Sequence, residues 1–125
     1  MHRTTIINCI LVLTLIVLGI FLWYNLHSPL AMYPGEAKAK LAKGEFDAVV
    51  DVRTDAEWEL GHFPLAIHIP LKQVKEQLPN RIPDKSSRIL FYCNTSTRAR
   101  MAAEAAQQAG YPNVRYLVGL YTNLK

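Results

Sequence analysis

RILFYCNTSTRARMAAEAAQQAG, residues 88–110, holds the transition on which the fold turns. Arg88 to Cys93 is an apolar run that suits both faces of an inner strand in a parallel sheet. Five polar residues follow, Asn94, Thr95, Ser96, Thr97 and Arg98. Alanines then recur at 102, 105, 106 and 109, the i, i+3, i+4, i+7 spacing of one helical face. Gly110 punctuates the end. The pattern predicts a strand, a tight polar loop, and a helix whose small side chains let it lie close against the sheet.

Outward from this stretch the alternation repeats. Glu36 to Lys43 (EAKAKLAK) predicts a helix ending at Gly44, and Phe46 to Val52 (FDAVVDV) an inner strand. Thr54 and Asp55 are N-caps for a brief helix through AEWEL, closed by Gly61. Ala66 to Pro70 is a strand stopped by proline. Leu71 to Leu78 is a helix with Leu71, Val74, Lys75 and Leu78 on one face, ended by Pro79. Asn113 to Val118 is a last strand. Strands alternating with helices predict one α/β domain with a mainly parallel sheet, residues 36–125. Such sheets receive ligands beyond the carboxyl ends of their strands, and Cys93 stands at one of these ends.

The first quarter of the 125-residue chain is too apolar for the surface of that domain. Ile6 to Tyr24 carries no charge, and nineteen helical residues rise about 28 Å, close to a bilayer's hydrocarbon thickness. Residues 1–26 are expected to be an uncleaved single-pass anchor. A removable leader has a shorter apolar core and a small-x-small cleavage site, where Pro29-Leu30-Ala31 places a proline. Trp23 and Tyr24 suit an interfacial belt. Residues 27–35, with two prolines and a glycine, are expected to be a linker. Arg3 lies closer to the span than Lys38, Lys40 and Lys43, which slightly favours the domain outside the cytoplasm.

The net charge of +4 is dispersed among acidic residues, with no aromatic and basic pattern for nucleic acid. His2, His27, His62 and His68 are scattered and no Cys/His cluster has zinc spacing, so no metal and no cofactor are expected. Cys9 lies inside the apolar run, which leaves Cys93 as the domain's own thiol. It is either a small buried hydrophobe or a reactive thiol. At the start of a helix the amides of residues 94–98 and the positive end of the helix dipole favour thiolate. Arg98 adds a positive charge, and the hydroxyls of Thr95, Ser96 and Thr97 offer donors to the same anion. The polar loop favours the reactive reading.

Three stretches resemble the rhodanese-like sulfurtransferases. DVRTDAEWELGHFPLAIHIP (Asp51 to Pro70) is similar to that family's DVR-x-x-x-E-[YF]-x-x-GH-I-P-G-A-x-x-IP. FYCNTSTRA (Phe91 to Ala99) is similar to its YC-x-x-G-x-R-[SA] loop, and AGYPNVRYLVGLYTNLK (Ala109 to Lys125) to its G-[FY]-x-NV-x-x-L-x-GG-x-x-x-W. The resemblance implies a five-stranded parallel sheet flanked by helices. It also implies a double displacement, in which Cys93 takes a sulfane sulfur from a donor such as thiosulfate and passes it to cyanide or a thiol, protein thiols included. By matching position, Asn94 to Arg98 cradle the persulfide, while Asp51, Arg53, Glu57 and His62 are structural. A rhodanese-like binding module that recruits a partner at the membrane is the alternative. The Cys-(x)4-Arg loop is shorter than the Cys-(x)5-Arg loop of cysteine phosphatases, which disfavours phosphoryl chemistry. Ser96 stands where the family has a loop glycine, Leu65 and Leu120 replace two further glycines, and Leu124 replaces a tryptophan. If position 96 needs a positive φ, serine there costs on the order of 1 kcal/mol.

Overall fold

The computed structural model describes residues 2–125. A 26-residue helix α1 (His2–His27) leads into strand β1 (Ala31–Met32), helix α2 (Pro34–Ala42) and strand β2 (Ala48–Asp51). Helix α3 (Asp55–Glu59), strand β3 (Ile67–His68), helix α4 (Val74–Arg81) and strand β4 (Ile89–Tyr92) follow. Helix α5 (Thr97–Gln108) and strand β5 (Val114–Leu117) complete the series. The five strands form one parallel sheet in the order β1-β5-β4-β2-β3. β4 sits at its centre, so the apolar run before Cys93 is the spine of the domain.

Alternation along β4 explains why every residue in it is apolar. Ile89 and Phe91, continued by Cys93, face a core shared with Val50, Val74, Leu78 and the alanines of α5. Leu90 and Tyr92 face the opposite core with Met32, Ala37, Val49, Leu117 and Leu124. Both faces are covered, as the crossovers of parallel sheets require.

Three expectations change in detail. The sheet-facing stripe of α5 is Ala99, Ala102, Ala103 and Ala106, not 102, 105, 106 and 109. Alanines at 99, 102, 103, 105, 106 and 109 satisfy both helical registers. The loop decides between them by placing Ala99 over Cys93.

Pro79 does not end its helix but lies inside α4, after a 3-10 turn at Leu71–Gln73. Proline forfeits one helical hydrogen bond. Here Ile82 N–H still reaches the Leu78 carbonyl at 2.8 Å, and buried Tyr111 donates to Ile82 O at 2.6 Å, so packing carries the helix past the proline.

Residues 27–35 do not form a loose linker. Ala31 and Met32 pair with Tyr116 and Leu117 as the edge strand, and Met32 is fully buried. Two-residue strands carry too little periodicity to be seen in a sequence.

α1 is long and apolar enough to cross a membrane, with a mean hydropathy of 2.8 over its most apolar 18 residues. Its large apolar side chains are 40–67% exposed.

Candidate active site

The carboxyl ends of β2 and β4 bring the site together. Cys93 follows β4 directly, its side chain is 0% exposed, and its sulfur accepts a hydrogen bond from the amide of Ala99 at 3.3 Å. Ala99 was missing from the residues expected at the sulfur. The sequence signal was available, since the third amide of a helix lacks an intrahelical partner and turns back towards the preceding loop. No hydrogen bond from within the described residues occupies the amides of Asn94 to Arg98, which leaves them available to an anion.

Ser96 has φ 72°, in the left-handed region, as anticipated for a position where glycine is the unstrained residue. Its hydroxyl does not turn towards the thiol. It accepts the amide of Gly119 at 2.7 Å, tying the loop to the turn after β5 and helping to offset the strain. Thr95 is exposed and Thr97 half-buried. The three hydroxyls therefore do not share one target. The other substitutions are benign for a local reason: neither Leu65 nor Leu120 occupies a positive φ, and Leu124 fills the second core.

Arg98 and Asn94 converge on one carboxylate. Arg98 Nη1 and Nη2 donate to Glu57 Oε1 and Oε2 at 2.6 and 2.9 Å, and Asn94 Nδ2 donates to Oε2 at 2.5 Å. Glu57 is in turn fixed at the start of α3 by a capping box. Its Oε1 accepts the Thr54 amide at 3.1 Å, and Thr54 Oγ1 accepts the Glu57 amide at 3.3 Å. The charge expected of Arg98 is thus largely answered by Glu57, because both lie in one bidentate pair. The field at the sulfur then comes chiefly from amides and the α5 dipole.

The Arg98 guanidinium holds the Glu57 carboxyl down at about 2, against the upward push of burial and with help from Thr54. A depressed folded-state value stabilises the fold above the ordinary glutamate range, and that contribution is lost as pH falls from about 4.5 towards 2. Glu57→Gln is therefore expected to be less stable than the parent at neutral pH, with the gap closing across that window. Urea unfolding at several pH values checks it, and a gap independent of pH contradicts the assignment.

Beneath the loop, Asp51 and Arg53 form a buried pair, 0% and 4% exposed. Asp51 accepts Arg53 Nη2 at 2.8 Å, Nε at 3.0 and 3.1 Å, and the Arg53 amide at 2.8 Å. Arg53 also donates to Gly61 O at 2.6 Å, with its guanidinium 4.5 Å from the Tyr121 ring centroid. Burial works against the Arg53 charge, but Asp51 outweighs it and raises the guanidinium pKa further. His62 stacks on Trp58, ring centroids 3.4 Å apart, with Nδ1 3.0 Å from Phe63 O. His68 stacks on Trp58 at 4.7 Å and lies 2.8 Å from Arg53 O. Neither His68 nor Trp58 was singled out from the sequence, where an isolated ring carries no partner information.

A cleft of about 290 Å³ opens beside Arg98, lined by Val52, Thr54, Pro70, Leu71 and Lys72 among others. Cys93 is not in its wall.

A family model described as a rhodanese-like domain matches residues 33–125. Thiosulfate sulfurtransferase PspE of Escherichia coli strain K12 is 37% identical over 71 residues, covering 57% of this chain and 68% of that protein. A tRNA uridine(34) hydroxylase of Erwinia tasmaniensis is 35% identical over 74 residues, 56% of this chain but only 21% of the hydroxylase. Among solved structures, a human single-domain sulfurtransferase superposes with a TM-score of 0.68 at 24% identity, covering 77% of this chain and 95% of the other. An E. coli rhodanese with bound anions gives 0.54 at 31% identity, covering 61% and 88%.

Proposed function

The chain belongs to the rhodanese-like domain family, and from that membership we propose a sulfurtransferase in which Cys93 carries the transferred sulfur as a persulfide. The observation that carries this reading is the placement of Cys93 between β4 and α5, its sulfur bonded by the Ala99 amide under a loop of unoccupied amides. The Cys93 thiolate attacks the sulfane sulfur of thiosulfate. The S–S bond of the donor breaks and sulfite leaves with the electron pair. A thiolate or cyanide then attacks the terminal sulfur of the persulfide, Cys93 departs as thiolate, and the acceptor leaves as a persulfide or thiocyanate. Asn94 to Arg98 cradle the terminal sulfur, while Glu57 fixes Asn94 and Arg98. Asp51, Arg53 and His62 brace the loops below. Because Cys93 is fully buried, the loop opens to admit each reactant.

Incubating the full chain with thiosulfate and weighing the Cys93 peptide tests the proposal. One added sulfur, removed by cyanide with release of thiocyanate, is the expected result; an unmodified thiol sinks it.

The same burial favours a second reading, a binding module with weak turnover. Residues 6–24 anchor the protein as a single-pass span in either case, with residues 36–125 on the extracytoplasmic side. A reporter fused at Lys125 that is active only outside the cytoplasm is the outcome expected for that orientation.

A further inference from the structure

The end of α1 is built into the domain. Along its last turns Leu22, Trp23, Tyr24 and Leu26 are 40–60% exposed, yet Asn25 between them is 5% exposed. Asn25 Oδ1 accepts Arg100 Nε at 2.6 Å, and its carbonyl accepts the hydroxyl of Tyr116, a fully buried residue of β5. Tyr24 donates to Glu104 Oε1 at 3.1 Å, while Arg100 pairs with Glu104 at 2.9 Å and lies 5.2 Å from the Tyr24 ring centroid. Tyr33 donates back to Leu26 O at 2.9 Å, and Arg115 donates to the carbonyls of Leu30 and Ala31 at 3.3 and 2.9 Å. The apolar run ends at Tyr24 and the contacts with the domain begin there and at Asn25, with no free residue between them.

Two consequences follow from this contact. Removal of α1 by cleavage after Ala31 takes away the acceptor of a buried tyrosine, the partner of Arg100 and half of β1. Such a cut damages the core where a leader peptide leaves it untouched. The second consequence is positional. Arg100 follows Ala99, whose amide holds the Cys93 sulfur. The path through the Arg100 side chain and its hydrogen bond keeps that sulfur within about 15 Å of Asn25.

We propose that α1 is a retained part of the domain that clamps it directly against a lipid bilayer, so that sulfur leaves Cys93 within about 20 Å of the hydrocarbon edge. Reactants therefore meet the thiol at the membrane surface. The occupant of the α1 surface is lipid: nineteen uncharged residues are exposed all round and end in an aromatic pair. What is transferred at that surface rests on the sulfurtransferase reading, whereas the clamp does not.

The test uses the full chain in lipid nanodiscs. Spin labels are placed at Val12→Cys and Met101→Cys, with Cys9→Ser and Cys93→Ala removing the native thiols. A single narrow distance distribution is expected, broadened several-fold by Arg100→Ala and, on the other side of the contact, by Asn25→Ala. The unlabelled parent chain recovered from host membranes is expected to have an intact mass that includes residues 2–31. A mature chain starting after Ala31, a broad distribution in the labelled parent, or one that both alanine variants leave unchanged overturns the clamp. A narrow distribution in the labelled protein, together with an unlabelled parent whose Cys93 takes no sulfur from thiosulfate, keeps the clamp and removes the sulfurtransferase reading.

Discussion

Replacing Cys93 by serine is expected to lower thiosulfate-to-cyanide transfer by on the order of a thousandfold or more, as loss of a covalent nucleophile does. Serine is close in shape, and its oxygen can keep the hydrogen bond from the Ala99 amide that Cys93 accepts at 3.3 Å. Stability is therefore expected to change by about 1 kcal/mol at most. What is lost is the polarisable, acidic sulfur, because a serine hydroxyl in the same amide field stays protonated at neutral pH and forms no persulfide. Steady-state thiocyanate formation and a denaturant midpoint, measured side by side, separate chemistry from folding. If the variant turns over like the parent, Cys93 is not the carrier. If turnover is negligible in both while Cys93→Ser leaves the cellular phenotype intact, the module acts by binding.

Arg53→Met is expected to destabilise the domain by about 3–5 kcal/mol, the cost of leaving one member of a buried ion pair alone. Asp51 is fully buried, takes four hydrogen bonds from Arg53 and also faces the Tyr92 hydroxyl. With methionine opposite, its carboxylate keeps the amide of residue 53 and the Tyr92 hydroxyl but no counter-charge, and Gly61 O loses its donor as well. Helix α3, which carries Glu57, lies between Arg53 and Gly61 and loosens with them, which releases Arg98. The double change Asp51→Asn with Arg53→Met is expected to be milder than Arg53→Met alone, since no uncompensated charge remains. Urea unfolding of the parent, Asp51→Asn, Arg53→Met and the double variant measures the coupling, and additive losses contradict the buried-pair account.

These two residues also show what kind of information each level carries. Asp51 and Arg53 stand two apart in one motif, and such proximity in the chain is enough to suggest a local brace. Glu57, grouped with them from its motif position, instead reaches across to Asn94 and Arg98, 37 and 41 positions away. Ser96 was flagged as a departure, and its positive φ follows from the loop it replaces a glycine in. Its partner, Gly119, is 23 residues further on. Arg100 and Asn25 are 75 apart and carry no motif at all.

Local sequence was enough for the alternation of strands and helices, a strand apolar on both faces at Arg88 to Cys93, the thiol at a helix start and the long apolar helix. Each of these rests on local periodicity or on the chemistry of adjacent residues. Folding alone set the strand order that puts β4 at the centre, which alanines of α5 meet the sheet, that Pro79 stays helical and that Ala31–Met32 is a strand. It alone showed where the Arg98 charge is spent and that the apolar helix ends inside the domain. Those outcomes depend on pairs brought together by folding, and one-dimensional spacing does not encode a partner that is far along the chain.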